Sequence, residues 1–149
     1  MKKVLIIALV LLMSVCCFAS CDAIEQEIGK AVSVAAVDAV ATELSNQGVE
    51  FTHLSEEEIA DFLKDWEAEF GAPMAGELTS GLTGAYENEE TGAWVEYYVY
   101  GFSSTEDATK LDEFLRAEYR QEISAGTTIV VNGGYIVNLT RSSEVIEVE

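Results

Sequence analysis

Aromatic side chains alternate with mostly aliphatic ones along residues 93–102, and this segment carries the clearest sign of a binding surface in the chain. In an extended strand, alternate residues share one face. One face of this segment therefore carries Trp94, Glu96, Tyr98, Tyr100 and Phe102. Rings on such a face can stack on a glycan or a peptide, and Glu96, the single charge of the segment, would supply a polar contact. The favoured interpretation is that both faces are core and that the N-terminal helix covers one of them. The alternative is an exposed face, on which Trp94, Glu96, Tyr98 and Tyr100 are the candidate ligand-binding residues.

Carboxylates are the most abundant reactive groups, with 27 Asp and Glu side chains against 8 Lys and Arg. Pairs one helical turn apart, such as Glu57 and Asp61, are typical of a solvated helix surface. A hydrolase would need two carboxylates that converge in a cleft. Glu87, Glu89 and Glu90 crowd one turn, but their spacing is not that of a calcium-binding EF-hand loop. The sequence leaves a hydrolase with paired carboxylates as an alternative function and identifies no catalytic residue.

Other catalytic and metal-binding patterns are missing from the sequence. His53 is the single histidine, and all three cysteines lie within residues 1–21, the export signal described below, which leaves no free cysteine in the mature chain. The usual zinc, copper and haem ligand sets therefore cannot be assembled. There is no Gly-x-Ser-x-Gly turn and no Ser-x-x-Lys pair. The glycines at positions 76, 81 and 84 lack the lysine of a phosphate-binding loop. We therefore predict no metal, no cofactor and no enzymatic activity.

The first 21 residues have the organisation of a bacterial export signal. Lys2 and Lys3 form a positive start, and residues 4–15 form an apolar stretch too short to span a membrane stably. The segment Phe18-Ala19-Ser20-Cys21 resembles a bacterial lipobox, with Phe18 in place of the usual leucine. The resemblance implies a lipoprotein signal peptide over residues 1–20 and a lipid anchor, such as palmitate, on Cys21. An ordinary cleaved signal without lipid is the alternative, but lipidation explains the lone cysteine of the mature chain.

The charge of the chain excludes several kinds of partner. The formal net charge is −19, and it becomes −21 without residues 1–20 because Lys2 and Lys3 are lost. So acidic a chain cannot neutralise a run of nucleic-acid phosphates or hold anionic lipid through a basic helix. We expect no nucleic-acid partner, attachment to the cell membrane through the lipid on Cys21, and an extracytoplasmic location. An envelope protein or a glycan is the expected ligand.

Apolar periodicity and turn residues divide the rest of the chain into elements. Residues 22–45 are predicted to form a helix with one buried stripe, which runs through Ile24, Ile28, Val32 and Ala35 and continues through Val37, Val40 or Ala41, and Leu44. A capping box and hydrophobic staple over residues 54–59 predict a second helix that ends at Gly71. Ser103-Ser104 caps a third. Strands are predicted over residues 48–53, 82–86, 93–102, 127–131 and 134–140, and Asn132-Gly133 predicts a two-residue type I′ turn.

This order of elements is typical of an α+β protein with helices on one face of an antiparallel sheet. With the strand at 48–53, the order after the first helix is β-α-β-β-α-β-β, which resembles a ferredoxin-like βαββαβ layout with an extra C-terminal strand. The predicted divisions are an N-terminal helix over residues 21–47 and a single α+β domain over residues 48–149. The element order and the terminal hairpin also resemble small bacterial lipoproteins of unknown function, and that resemblance implies no catalytic site.

These features favour a lipid-anchored, acidic binding or interaction module of the cell envelope. The alternatives are an envelope hydrolase that uses paired carboxylates and a structural or inhibitor-like lipoprotein that blocks a partner. The solvent exposure of Trp94, Tyr98 and Tyr100 distinguishes a binding module from a hydrolase. An open aromatic surface favours binding, whereas carboxylates that converge in a deep pocket favour hydrolysis.

Overall fold

Three helices and five strands lie in the part of the chain that the structure describes. The structure, a computed structural model, describes residues 2–120, 128–132 and 134–143, with side chains from Ala23 onward except at positions 128, 131 and 132. The elements are α1 (Lys2–Asn46), β1 (Glu50–His53), α2 (Glu56–Phe70), β2 (Leu78–Glu87), β3 (Trp94–Phe102), α3 (Thr105–Glu118), β4 (Thr128–Asn132) and β5 (Ile136–Ser142). The predicted α+β class is confirmed.

The strands form one antiparallel sheet in the order β1-β2-β3-β5-β4. A ferredoxin-like sheet would place two parallel strands on either side of a third. Here β1 pairs directly with β2 in antiparallel register, although α2 connects them. The antiparallel sheet is therefore as predicted, while its strand order differs from the ferredoxin-like layout.

Two apolar cores lie on opposite faces of the sheet. On one face, which we call the aromatic face, α2 and α3 cover a core whose members include Trp66, Phe102, Leu111, Leu115, Val137 and Leu139. On the other face, α1 covers a core that includes Val37, Ala41, Leu44, Leu82, Val99 and Ile136. Alternate residues of β3 point into the two cores, which explains why its sequence is apolar on both faces.

The structure corrects the predicted buried stripe of α1. Ile24 and Ile28 are 60% and 54% exposed. The side that meets the sheet begins instead with Gly29 and Ser33, and it continues through Val37, Ala41 and Leu44 as predicted. This side has mostly small residues because α1 lies close to the strands: a Cβ added at Gly29 would collide with the carbonyl oxygen of Ser103. Ser33 Oγ lies 2.6 Å from Thr79 Oγ1, which gives that buried hydroxyl a partner.

Local signals determine where α2 begins and ends. The Ser55 hydroxyl accepts from the Glu58 amide at 3.3 Å, and the Glu58 carboxylate accepts from the Ser55 amide at 2.7 Å. These two bonds form the predicted capping box. The Ser55 amide and the Ser55 hydroxyl both donate to the Glu58 carboxylate at 2.7 Å, and these two bonds lower the pKa of the Glu58 carboxyl. Gly71 takes a φ of 67°, a left-handed conformation that ends the helix at little steric cost.

The start of β2 and the turn of the β4–β5 hairpin differ from their predictions. β2 begins at Leu78, four residues early, with a register irregularity between Leu78 and Ser80. The predicted β4–β5 hairpin is present, but Asn132 pairs with Ile136, so three residues rather than two connect the strands. Gly134, with a φ of 74°, supplies the left-handed residue of this loop, and Asn132 does not have a positive φ. Gly133 lies outside the described residues.

Candidate functional site

The sheet register places charged and hydroxyl side chains in adjacent rows on the aromatic face. Glu50 lies opposite Ala85, Ala85 opposite Glu96, and Glu96 opposite Arg141. Residues directly opposite in antiparallel strands point to the same face. The next row contains Thr52, Thr83, Tyr98 and Leu139.

On the aromatic face, the exposed fraction of the side chains rises from Phe102, at the C-terminal end of β3, to Trp94, at its N-terminal end. Phe102 is fully buried, and the ring of Tyr100 packs on Phe62 with centroids 5.0 Å apart. Glu96 and Tyr98 are half-buried, and Trp94 is 36% exposed. The helices therefore cover only the Phe102 end. The structure places Tyr100 in the core and puts Trp94, Glu96 and Tyr98 at the open end of the sheet.

Glu96 is the centre of a polar cluster at this open end. Its Oε2 atom accepts from the Tyr98 hydroxyl at 3.2 Å and lies 3.3 Å from Nη1 of Arg141. The Arg141 guanidinium lies over the rings of Trp94 and Tyr119, at 6.0 and 5.5 Å from their centroids. Because hydrogen bonds, an ion pair and ring contacts meet here, these side chains are held in place before any ligand arrives.

Burial raises the pKa of both tyrosine hydroxyls on this part of the face. For Tyr98, desolvation is the largest cause and the negative charge of Glu96 adds to it, while Arg141 acts in the opposite direction. For Tyr100, desolvation again dominates. Both hydroxyls therefore keep their protons at neutral pH, and Tyr98 acts as a donor.

An open groove of about 710 Å³ lies beside this cluster. It runs across β1, β2 and β3, and its lining includes Glu50, Thr52, Thr83, Ala85, Glu96 and Tyr98. Two of the four predicted ligand-binding residues, Glu96 and Tyr98, thus line it. The groove offers carboxylates, hydroxyls and one aromatic ring, a set suited to binding a polar or cationic ligand.

The other residues considered from the sequence as catalytic or metal-binding candidates lie outside this groove. His53 is exposed in β1, and its ring contacts that of Phe51 edge-on at 5.7 Å. The acids of residues 87–90 flank a turn in which Asn88 Oδ1 accepts from the amides of Glu90 and Thr91. Within the described parts of the chain, no three potential metal ligands come together.

Sequence reasoning missed two residues that organise the molecule. Arg141 lies 45 positions from Glu96 in the chain, so only the sheet register reveals their pairing. Asp107 is 1% exposed, and its two oxygens accept from the amides of Ala75 and Gly76 at 2.9 and 2.7 Å. Its position in the first turn of α3 was visible, but its role in holding the loop before β2 depends on a contact between distant segments.

Comparisons with protein families, with curated proteins and with solved structures found no match to this chain. In the helical residues whose side chains are described, no segment is long and apolar enough to cross a membrane. Functional inference therefore depends on the chain's own residues.

Proposed function

We propose that this protein is a lipid-anchored, acidic binding module of the cell envelope that presents the open end of its aromatic face to a ligand. The observation that carries the proposal is the groove beside Glu96, whose Tyr98 and Arg141 partners are already positioned. A pre-organised polar cluster next to an open surface reduces the cost of ordering side chains when a ligand binds.

The anchor and the groove belong to separate parts of the molecule. The proposed signal peptide ends at residue 20, and lipidated Cys21 would attach the chain to the extracytoplasmic side of the cell membrane. Among the positions of α1 whose burial is described, Gly29 is the first buried one, eight residues after Cys21, or about 12 Å along a helix. The lipid can thus hold the protein on the membrane without entering its core.

Binding fits the groove better than hydrolysis. Glu50 and Glu96 share a row but stand two strands apart, so their backbones are separated by roughly 10 Å. The groove between them is open rather than deep, whereas hydrolysis by a carboxylate pair requires both groups to converge on one bond. The carboxylates are therefore proposed as ligand contacts.

Photo-crosslinking in cells tests this function. A photoreactive amino acid replaces Thr83 in the groove or, as the control, Glu113 on the exposed side of α3. We expect adducts at position 83 that are reduced when Glu96→Gln is added and unchanged when Glu118→Gln is added. Sensitivity of the adduct to protease or to glycan-degrading enzymes identifies the ligand class. Equal crosslinking at positions 83 and 113 would contradict a binding role for the groove.

A further inference from the structure

The groove opens at an edge of the sheet. β1 pairs only with β2 among the described strands, so its other side has no strand partner. Three of its four residues, Glu50, Thr52 and His53, are exposed, and Phe51 is half-buried. A strand edge in this condition can accept a further strand through backbone hydrogen bonds.

The register identifies which backbone groups point outward from β1. The Leu54 amide donates to the Gly81 carbonyl at 2.9 Å, so Leu54 occupies a hydrogen-bonded position opposite β2. Such positions alternate along antiparallel strands. Thr52 and Glu50 therefore also bond toward β2, while the amide and carbonyl groups of Phe51 and His53 point to the open edge.

We propose that an extended, basic segment of a partner protein adds to the free edge of β1 as a sixth strand. The inference rests on the proposed function, because it names the ligand class of the same groove. Phe51 and His53 supply the backbone hydrogen bonds, and the carboxylate of Glu50 meets a lysine or arginine of the added strand. Among the described ion pairs, none involves Glu50, so this carboxylate has no cation to give up on binding.

The two faces of β1 specify an alternating ligand. Glu50 and Thr52 lie on the aromatic face, where the side chains of an added strand would meet the acidic groove. Phe51 and His53 lie on the opposite face, where their rings contact each other and Phe51 packs against the core under α1. Neighbouring strands place side chains about 5 Å apart on each face. The preferred segment thus alternates basic residues with apolar ones.

Charge complementarity selects this partner over others. The chain carries a formal net charge of −19, and the carboxylate of Glu50 on the edge strand repels acidic strands. A glycan fits less well, because the Arg141 guanidinium lies over the Trp94 ring and the Tyr98 hydroxyl is bonded to Glu96. The aromatic surface that sugars need for stacking is thus partly occupied.

Two peptides with the same amino-acid composition but different residue order test the inference. The probe is an octapeptide that alternates lysine with valine, and its control repeats Lys-Lys-Val-Val, which has the same charge without the alternation. Each is titrated into the full-length, isotope-labelled protein in non-ionic detergent, with amide shifts and hydrogen exchange as the readouts. We expect saturable binding of the alternating peptide alone, with slower exchange at the Phe51 and His53 amides.

Variants of the protein and of the peptide distinguish strand pairing at β1 from general attraction of a basic peptide to an acidic surface. Glu50→Gln should weaken binding of the alternating peptide by about 1.5-fold to fivefold, the range expected for one cross-strand charge pair. Glu113→Gln removes an equal charge on α3 and should leave binding unchanged. A version of the peptide with N-methylated backbone amides should lose binding, because strand addition needs those donors.

Three results would overturn the inference. Equal binding of the two peptides, or equal weakening by Glu50→Gln and Glu113→Gln, would mean undirected attraction to an acidic surface. Binding of a chitin-type oligosaccharide that shifts Tyr98 without slowing exchange at Phe51 would replace strand addition and leave the groove as a binding site. Failure of the Thr83 crosslink, by contrast, would contradict the proposed function itself.

Discussion

Tyr98 and Tyr100 make the stability of the protein sensitive to alkaline pH. Burial raises the pKa of both hydroxyls in the folded state above the unfolded value of about 10. Their contribution to stability is therefore fully present below pH 10 and is lost as the pH rises through the folded values, because the unfolded chain releases its protons first. Urea unfolding from pH 8 to pH 11 should show the free energy of unfolding fall only above about pH 10.

The matching variants identify the source of that loss. In the double variant Tyr98→Phe and Tyr100→Phe, the alkaline fall should shrink, since neither hydroxyl remains to titrate. Tyr86→Phe, which removes a hydroxyl from a ring that is largely exposed, should keep the fall because Tyr98 and Tyr100 are still present. A fall that persists in the double variant would show that other groups cause it.

For single residues, the sequence predicted which side chains share a face of a strand better than it predicted which side chains they contact. Alternation placed Trp94, Glu96 and Tyr98 on one face, and the structure agrees. It did not predict that Tyr100 packs on Phe62 or that Arg141 pairs with Glu96. Those contacts depend on which elements cover the face and on the register of strands far apart in the chain, and neither is a property of local spacing.

Among the elements, α2 is held by both its cap and its buried face. Ser55→Ala removes the acceptor for the Glu58 amide and should cost about 1 kcal/mol in the free energy of unfolding. Trp66→Ala should cost about 3–5 kcal/mol, because Trp66 is 3% exposed and packs against Phe70 and Phe102. Chemical denaturation of both variants gives the ranking, and a larger loss for Ser55→Ala would contradict the observed burial.

Helix α1 offers a matched test of which side it buries. Val37 is fully buried beside Gly101, whereas Val32 is 42% exposed. Val37→Ala should reduce the free energy of unfolding by roughly 2 kcal/mol through lost burial and a small cavity. Val32→Ala removes the same atoms and should change it by less than about 0.5 kcal/mol. Denaturant titration compares the two variants, and equal losses would mean that both sides of α1 are covered.

Elements with local signals were predicted well, and those that depend on close packing were not. The capping box of α2 lies within four consecutive residues, so its sequence alone was sufficient. The start of the buried stripe of α1 was mistaken because larger apolar residues, Ile24 and Ile28, lie on the solvent side, whereas its predicted continuation through Val37, Ala41 and Leu44 is buried. The buried side begins instead with small residues such as Gly29, where the Ser103 carbonyl oxygen leaves no room for a side chain.

For the whole molecule, attachment to the membrane should depend on Cys21 alone. Cys21→Ala removes the proposed site of acylation, and several acyl chains hold a domain on a membrane far more firmly than one chain does. The variant should be released into the soluble fraction with an unchanged unfolding transition, because the described core of α1 begins at Gly29. Fractionation after a high-salt wash measures this, with Cys16→Ala, the same change outside the lipobox, as the control. A variant that remains with membranes would contradict the lipid anchor.

The acidic charge of the whole chain should govern its response to salt. With a formal net charge of −19, or −21 after loss of residues 1–20, like charges repel across the surface over roughly 8 Å at physiological ionic strength. Salt should raise the melting temperature gradually by screening this repulsion.

Calcium should act no more strongly than magnesium, because no group of three potential metal ligands comes together among the described residues. Thermal melts in sodium, magnesium and calcium chloride at matched ionic strength compare the three cations. A rise specific to calcium that saturates below millimolar concentration would reveal a cation site and make metal binding part of the function.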